Sequence, residues 1–480
     1  MRATFLGFEI ARKALNASQK GLDVVSQNIS NANTEGYTRQ RVELSAEPFL
    51  RGSYLYSNST TADVGLGVKV DRISQVRDKV LDYKYRKENA INNTWNTCLR
   101  GLKDIESVID EYSKDGLNTS VMNLLEKLHT FSSNTSNIEY ASLVRSAAQT
   151  VAQTLNKYSE QLYELEQQQY EELGIIIEDV NQLLEKISSL NTQIKGAMVA
   201  GYNPNELMDT RNMHLDTLSG YLNIYVENHD DGSVSVKCGD VYLVHGKEYN
   251  EISLAEGYPV SLKQEDGSDF VVSNGQIFGH LQMLNGNGVF ATGGESDFQG
   301  IPYYKNSLDM FAQKLAEVFN ELNKVDGAEK PLFSGDESGN ITASTIGISK
   351  EWLMDAMYIT TSTLEGAPSG ANDNIVKMIQ ALNDTHTITP AFKGSFVDFV
   401  TSLNGDIAMD VRYYEDMAET SDIVLMTVDE QRESVSGVSL NEETINMIRF
   451  QKSYSAAARI MTALDEALDI LVNRMGVVGR

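Results

Sequence analysis

The six histidines are the first residues to examine for chemistry, because imidazole is both a metal ligand and a general base near neutral pH. None has another histidine or a cysteine at the spacing of a metal site, and no H-E-x-x-H segment occurs. We interpret each as a surface or core residue and expect no metal site. They are His129, His214, His229, His245, His280 and His386.

Motifs for a nucleophile or for phosphate binding are also missing. The sequence has no G-x-S-x-G nucleophile elbow and no phosphate-cradling P-loop. The acidic pairs Asp230-Asp231 and Asp336-Glu337 lack the ligand pattern of a calcium loop, so a turn and a solvated loop explain them better. Because 67 residues are acidic, neighbouring carboxylates are expected by chance. We therefore predict no catalytic residues, no cofactor and no enzyme activity.

Length and charge limit the classes of function. A chain of 480 residues with 41% hydrophobic residues fits a soluble protein of about two to four domains. Its net charge of -27 repels phosphate, so we expect no nucleic-acid partner. Residues 1–41 carry six basic and three acidic side chains, and residues 440–480 carry five of each. The two ends can therefore approach each other, or copies of themselves, without strong repulsion.

Cysteine usage and hydropathy bear on the compartment. Cys98 and Cys238 are too few for a disulfide framework, and we interpret them as small core residues. The N-terminus lacks the pattern of a secretory signal, and no apolar run approaches the roughly 20 residues that span a bilayer. We expect no membrane insertion. Composition alone predicts a cytoplasmic protein, although some export routes recognise an uncleaved N-terminus.

Both ends of the chain carry an apolar stripe whose members alternate by three and four residues. This spacing is typical of a helix that packs along another helix. Asn31 to Gly36 can end the first helix, and Ser439 with Glu442 predicts an N-terminal capping box for the last. The stripes are Phe8, Ala11, Leu15, Ser18, Leu22, Val25, Ile29 and Ala32, and Met447, Phe450, Tyr454, Ala457, Met461, Leu464, Leu468, Leu471 and Met475.

An apolar stripe must be buried against something, and the simplest partner for each terminal helix is the other one. The alternative is that each helix packs on its own neighbouring domain. The two matching periods favour mutual pairing. We expect the assembly interface of the protein along these helices, at Phe8, Leu15, Leu22, Val25, Ile29, Phe450, Tyr454, Met461, Leu464, Leu468 and Leu471.

The interior combines helical and β-like sequence. Apolar periodicity predicts helices over about 139–200, 305–324 and 395–436. Alternation on both sides of Asp231-Gly232 predicts a β-hairpin, and Gly239-Asp240 predicts a second turn. The sequence thus predicts an α+β multidomain fold, with terminal helices paired as a coiled coil, an elongated helical body and an inserted small β-rich module.

The predicted division assigns the chain to three regions. The terminal coiled coil takes 1–33 and 440–480. The helical body takes 34–218, 303–330 and 371–439. The β-rich outer module takes 219–302 together with the glycine-, serine- and threonine-rich stretch 331–370.

Three segments resemble the flagellar axial proteins, which include rod, hook and hook-associated proteins. Val24-Val-Ser-Gln-Asn-Ile-Ser-Asn-Ala-Asn-Thr-Glu-Gly-Tyr-Thr-Arg-Gln40 resembles their N-terminal signature, and its last five residues are similar to the hook-associated members. Residues 434–443, 448–454 and 456–461 are similar to their closing motif, and 207–218 to a helix of the hook-associated body. The motif residues are Asn28, Asn31, Asn33, Gly36, Tyr37, Thr38, Arg39 and Gln40.

The resemblance implies a structural subunit that joins the flagellar hook to the filament. Such proteins leave the cell unfolded through the flagellar export apparatus and assemble as a ring on the hook tip, with their terminal helices forming the inner tube. The implied location is extracellular, in the flagellum. The implied partners are other copies of the chain, the hook protein, a second junction hook-associated protein, and an export chaperone at the C-terminal helix.

Two other interpretations stay open at this level. The chain could be a sibling axial protein, such as a hook or distal rod subunit, although the segment from Gly36 to Gln40 argues against it. It could also be an adhesin carried on an axial-protein scaffold, since binding surfaces leave few marks in a sequence. A secreted enzyme is disfavoured by the missing catalytic motifs. Many relatives carry a larger outer β domain, but only one modest β module is evident in this sequence, so we do not expect a separate third outer domain here.

Overall fold

The computed structural model describes residues 5–47, 65–109, 116–293, 295–325, 328–363, 368 and 370–470. Two members of the predicted C-terminal stripe, Leu471 and Met475, lie outside the described residues.

Long helices form most of the described structure. In chain order they are α1 (Leu6–Ser30), α2 (Lys79–Val108), α3 (Leu117–Ser133), α4 (Ile138–Val199), α5 (Asn205–Tyr221), α6 (Gln276–Asn285), α7 (Ile301–Leu322), α8 (Lys350–Met354), α9 (Asp373–Asn383), α10 (Phe396–Ser436) and α11 (Leu440–Asp469). The three interior helices predicted from periodicity are confirmed as α4, α7 and α10. Ser395 caps α10 with the reciprocal bonds of a capping box.

The strands form small antiparallel sheets. They are β1 (Gln40–Ala46) with β2 (Val68–Gln75); β3 (Tyr225–Asn228), β4 (Val234–Cys238), β5 (Val241–His245) and β6 (Glu248–Tyr249) in one sheet; β7 (Ile252–Leu254), β8 (Leu262–Gln264) and β9 (Asp269–Phe270) in another; β10 (Phe333–Ser334) with β11 (Gly347–Ile348); and β12 (His386–Thr389) with β13 (Phe392–Gly394).

Both predicted hairpins are confirmed. β3 pairs with β4 across Asp231-Gly232, and β4 pairs with β5 across Gly239-Asp240. Gly232 has φ 81° and Gly239 has φ 57°, conformations that residues with a side chain rarely adopt. The pairing of β1 with β2 was not predicted, although Val42, Leu44 and Ala46 alternate with polar residues in β1, as Val68 and Val70 do in β2.

Two hydrophobic cores lie along α4, which is 62 residues long. The first is built on α3, the first half of α4, α7, α9 and α10, and it includes Leu155 and Phe311. The second lies between the second half of α4, α5, α6 and the sheets of β3 to β9, and it includes Leu184 and Val236. Cys98 and Cys238 are both buried and free.

The stretch 331–370 packs differently from its predicted grouping. Leu332, Phe333, Ile346 and Trp352 are buried in the core of α3, α4 and α7, away from the sheets of 219–302. Its glycine, serine and threonine content indicated loops, but the few large apolar residues decide which core a loop covers. The division into domains stays a prediction.

Helix length and hydropathy decide whether a helix can cross a membrane. Across the described ranges, no helix combines the length and the apolar character needed to cross a membrane.

Candidate assembly site at the joined chain ends

The first and last helices, α1 and α11, pack against each other in antiparallel orientation. A Cβ atom added to Gly7 would lie 3.1 Å from Leu464 Cδ1, and one added to Gly21 would lie 2.6 Å from Phe450 Cδ1. Residue numbers therefore increase along α1 in the direction in which they decrease along α11. The prediction that the terminal helices pair with each other is confirmed.

The predicted stripes face this shared surface. Val25 and Ala457 are buried, and Tyr454 is the most exposed member of the C-terminal stripe within the described residues. The partial burial of the others follows from a single partner helix, which covers only one side of a side chain. The partly buried members are Phe8, Leu15, Leu22, Ile29, Phe450, Met461, Leu464 and Leu468.

Gly21 lets the two helices pack closely. The ring of Phe450 occupies the space that a side chain at residue 21 would need. The sequence analysis missed this residue because a glycine inside a helix lowers helix propensity and carries no apolar signal. Its position in phase with the stripe, between Ser18 and Val25, was the available clue.

A second apolar stripe runs along the other side of α11. Its isoleucines are 50% to 65% exposed, and its alanines are exposed as well. The residues continue by steps of three and four, with only Lys452 interrupting them. An exposed stripe of this length on a helix marks a surface that another element can cover. Its members are Ile445, Ile448, Ala456, Ile460, Ala463, Ala467 and Ile470.

Asn28 fastens the two ends of the chain through its side-chain amide, which is fully buried. Its Oδ1 accepts hydrogen bonds from Tyr37 Oη at 2.8 Å and from the Gln40 amide at 3.0 Å. Its Nδ2 donates to the Gln40 carbonyl at 2.8 Å and to Glu443 Oε2 at 3.1 Å. All four hydrogen-bonding positions of the amide are satisfied.

Arg39 completes the link to α11. Its Nε and Nη2 donate to Glu443 Oε1 at 2.9 and 2.8 Å, and its Nη1 donates to Glu442 Oε2 at 2.7 Å. Ser439 caps α11 as predicted by accepting from the Glu442 amide. The carboxylate of Glu442 bonds to Arg39, which explains why the return half of a capping box is not made.

Gly36, Thr38 and Gln40 connect the helix pair to the body. Gly36 has φ 76° and turns the chain, whereas Asn31, which ends α1, has φ -104°. Gln40 Oε1 accepts from Asn205 Nδ2 at 3.0 Å. The Thr38 amide donates to Asp209 Oδ2 at 3.3 Å. Four motif residues, Asn28, Tyr37, Arg39 and Gln40, thus share one hydrogen-bonded cluster, whereas Asn33 is exposed and Asn31 bonds back to Gln27.

Burial shifts the titration of two groups in this cluster. It raises the pKa of Asp209 to about 6, against the opposing effect of hydrogen bonds from Thr38. Burial, with the negative charge of Asp209 next in importance, raises the pKa of Tyr37 to about 12. Tyr37 therefore stays a hydrogen-bond donor to Asn28 over the physiological range.

The described residues were also searched for side chains that could bind a metal ion together. Within their ranges, histidine, cysteine and carboxylate side chains nowhere gather in a group of three or more that could hold an ion.

Comparison with known proteins identifies the family. The model of the Flagellar hook-associated protein FlgK helical domain matches residues 102–329. Models of the Flagella basal body rod protein and of the Flagellar basal body rod FlgEFG protein C-terminal match residues 8–38 and 430–475. Flagellar hook-associated protein 1 of Bacillus subtilis is 31% identical, and the alignment covers 100% of both chains. The chain belongs to the flagellar hook-associated protein 1 family.

More distant members agree. Flagellar hook-associated protein 1 of Escherichia coli is 23% identical over 96% of this chain and 98% of its own. The flagellar hook junction protein FlgK from Burkholderia pseudomallei shares the fold with a TM-score of 0.61 at 12% identity, over 74% of this chain and 100% of that one. The hook-associated protein 1 family is a family of structural axial proteins of the flagellum, and the two rod-protein matches fall on the paired ends.

We predict that Gly21→Ala loosens the helix pair. The added methyl group would meet the Phe450 ring at 2.6 Å, and overpacking of this kind costs about 1–3 kcal/mol. The middle of this range, about 2 kcal/mol, exceeds the gain of about 1 kcal/mol in helix propensity. Amide hydrogen exchange in α11 should therefore accelerate.

Gly174→Ala in α4 is the matched control, since no heavy atom lies within 4 Å of its added Cβ. That change should leave exchange in α11 unaltered and stabilise α4 slightly. Equal behaviour of the two variants would show that the contact between Gly21 and Phe450 does not hold the helices together.

We predict that Glu443→Ala releases the start of α11, whereas Glu442→Ala does not. The Glu443 side chain is 2% exposed, and its loss leaves Arg39 Nε and Nη2 and one donor position of Asn28 without their acceptor, at a cost of about 1–3 kcal/mol. Glu442 binds the same arginine but is 60% exposed, so its loss should cost no more than about 1 kcal/mol. Hydrogen exchange of the first turns of α11 measures the difference, and similar rates in both variants would contradict the assignment.

We predict a pH dependence of stability that Asp209→Asn removes. A folded-state pKa of about 6, above the ordinary value of 3.8, means that the folded protein binds the proton more tightly. The stability from this group is present below the ordinary pKa and is lost as the pH rises through about 6. Between about pH 5 and about pH 7.5, the free energy of unfolding measured with urea should fall by roughly 1 kcal/mol more in the wild type than in the variant. Parallel pH profiles would refute this role.

Proposed function

We propose that this protein joins the flagellar hook to the filament as a ring of copies assembled on the hook tip. The observation that carries the proposal is the terminal helix pair, whose second isoleucine stripe on α11 is exposed in the single chain. Membership of the hook-associated protein 1 family supports the same role. The B. pseudomallei relative is described as a hook junction protein.

The contact between copies follows from the two sides of α11. One side already packs on α1, so the other side is free to meet a neighbouring helix pair. Burying four isoleucines between copies offers several kcal/mol per contact, at about 25 cal/mol per Å² of apolar surface. We propose that the described residues expected at the interface from the sequence, from Phe8 to Leu468, hold α1 and α11 together within each copy, and that the second stripe joins neighbouring copies.

The regions of the chain would then have distinct places. The helix pair of 1–33 and 440–480 forms the inner tube, and the acidic body and β-rich module face outward. The adjacent layers are the hook protein and a second junction hook-associated protein. Ends that are nearly neutral in charge can pack closely in a ring, whereas the acidic middle keeps neighbouring bodies solvated.

Export of the chain, and binding of a chaperone before assembly, are part of the same proposal. We propose that the chain leaves the cell unfolded through the flagellar export apparatus and reaches its place outside the cell. The isoleucine stripe of α11 offers an export chaperone an apolar surface before assembly. Pairing of α1 with α11 needs both helices, so the pair can form only after both have left the export apparatus.

We predict that Ile460→Asp blocks assembly while leaving the monomer folded. The side chain is 55% exposed in the single chain, so a carboxylate there stays solvated. In the ring the same carboxylate would be desolvated without a partner. Electron microscopy of flagella from cells that carry only the variant should show hooks without filaments.

Thr462→Asp is the control, since residue 462 is also exposed on α11 but lies outside both apolar stripes. That variant should support filaments. Filaments on cells with Ile460→Asp would show that the second stripe is not buried between copies.

The test of the function as a whole is a deletion strain examined by electron microscopy, together with an assay for flagellin in the medium. We expect complete hooks without filaments and free flagellin outside the cell. Missing hooks would indicate a rod or hook subunit instead. Intact filaments would overturn the proposal and favour an accessory role such as adhesion.

A further inference from the structure

A cleft of about 940 Å³ opens where β2, the start of α2, α5 and β3 meet. Five of its lining residues carry positive charge, whereas only Asp82 and Glu227 carry negative charge. This local excess stands out in a chain with a net charge of -27. The basic residues are Arg72, Arg77, Lys79, Arg86 and Arg211.

Arg211 is the most unusual of them. It is 4% exposed, and its Nη1 donates only to neutral groups, Asn191 Oδ1 at 3.0 Å and the Gly232 carbonyl at 2.7 Å. Its Nε has no hydrogen-bond partner among the described residues. Burial, followed by the positive charges of Arg86 and Arg77, lowers the pKa of Arg211 to about 10. Buried guanidinium groups are ordinarily paired with an anion.

The nearby carboxylates are already shared. Asp216 accepts from Arg86 Nε at 2.7 Å and from Arg432 Nη1 at 2.6 Å, and it lies 3.9 Å from Arg77 Nη2. Arg86 is 5% exposed, and its Nη2 has no partner. Arg77 also pairs with Asp82 at 2.7 Å, and Arg432 pairs with Asp429 at 2.9 Å, so the nearby carboxylates are engaged with other arginines and not with Arg211.

The walls of the cleft suit an organic ligand. Tyr83 and Tyr225 are both about half exposed, and their rings meet edge to face with centroids 5.8 Å apart. Val80 and Ile224 add apolar surface, and Lys79 is exposed at the rim. The size lies within the range of pockets that bind small molecules or a few residues of a peptide.

We propose that this cleft binds an oxyanion, a carboxylate or phosphate group, with Arg211 and Arg86 at its floor and Lys79 at its rim. A guanidinium presents its donors in a planar fork that fits two oxygens of either group. A purely structural role of Arg211, holding the Asp231-Gly232 turn against α4, explains the bonds of Nη1. It does not explain why, within the described ranges, Arg211 Nε and Arg86 Nη2 lack a hydrogen-bond partner and Arg211 forms no ion pair with a carboxylate.

Isothermal titration calorimetry on the full chain at low salt tests the proposal with two probes, inorganic phosphate and a tetraglutamate peptide. We expect at least one probe to bind and the affinity to fall as salt is added. Binding of phosphate alone would assign the site to a phosphate ligand, and binding of the peptide alone to a carboxylate. Failure of both probes to bind would overturn the proposal.

Two variants locate the site. Lys79→Gln should weaken binding by about threefold or more, while Lys84→Gln, an exposed lysine on the same helix outside the cleft, should leave it unchanged. Arg211→Lys, which keeps a charge but loses the fork, should weaken binding by about tenfold or more. An equal loss in the two lysine variants would mean diffuse attraction and would refute the cleft as the site. If Arg211→Lys fails to fold, the comparison of Lys79→Gln with Lys84→Gln still tests whether the cleft is the binding site.

Discussion

The buried bond network of Asn28, Arg39 and Glu443 is the constraint on which the arrangement of the chain depends. It joins side chains 415 positions apart, and neither the amide nor the carboxylate contacts solvent appreciably. A buried carboxylate is stable only with its partners in place, so this contact accepts one alignment of α1 with α11 and penalises a slipped one. The apolar stripes alone would tolerate several alignments, because leucine, methionine and phenylalanine pack in many ways.

The same network fixes the helix pair to the body. Arg39 donates its amide to the Ser436 carbonyl and its carbonyl accepts from the Val76 amide, so one residue contacts the end of α10 and the end of β2. Gln40 and Thr38 extend the contact to α5 through Asn205 and Asp209. A load carried by the terminal helices can therefore pass into the body through several short, directional bonds.

The long helix α4 organises the remainder. Its first half belongs to the core of the helices and its second half to the core beneath the sheets. Gln169 and His280 meet between the two cores, where Gln169 Oε1 lies 2.8 Å from His280 Nδ1. Burial lowers the pKa of His280 to about 4, so the ring stays neutral and its burial costs no charge. Because α4 is continuous, the body and the sheets are held by one helix rather than by a linker.

The sequence by itself determined the features that depend on consecutive residues. Steps of three and four predicted α1, α4 and α11, alternation around Asp231-Gly232 predicted the hairpin, and Ser439 marked the start of the last helix. These signals are local, because a period or a cap is set by residues within a few positions. The pairing of the two ends was also predicted, because each apolar stripe needed a partner that would bury it, whereas the antiparallel orientation came from the structure.

Only the tertiary structure decided which distant groups meet. Nothing in the local pattern connects Asn28 with Glu443, places Gly21 under Phe450, or brings Arg77, Arg86 and Arg432 to the single carboxylate of Asp216. The stretch 331–370 likewise gave its loop character in advance but not the core that it covers. A polar side chain has no periodicity that reveals its partner, because the partner is selected by burial and geometry after the chain has folded.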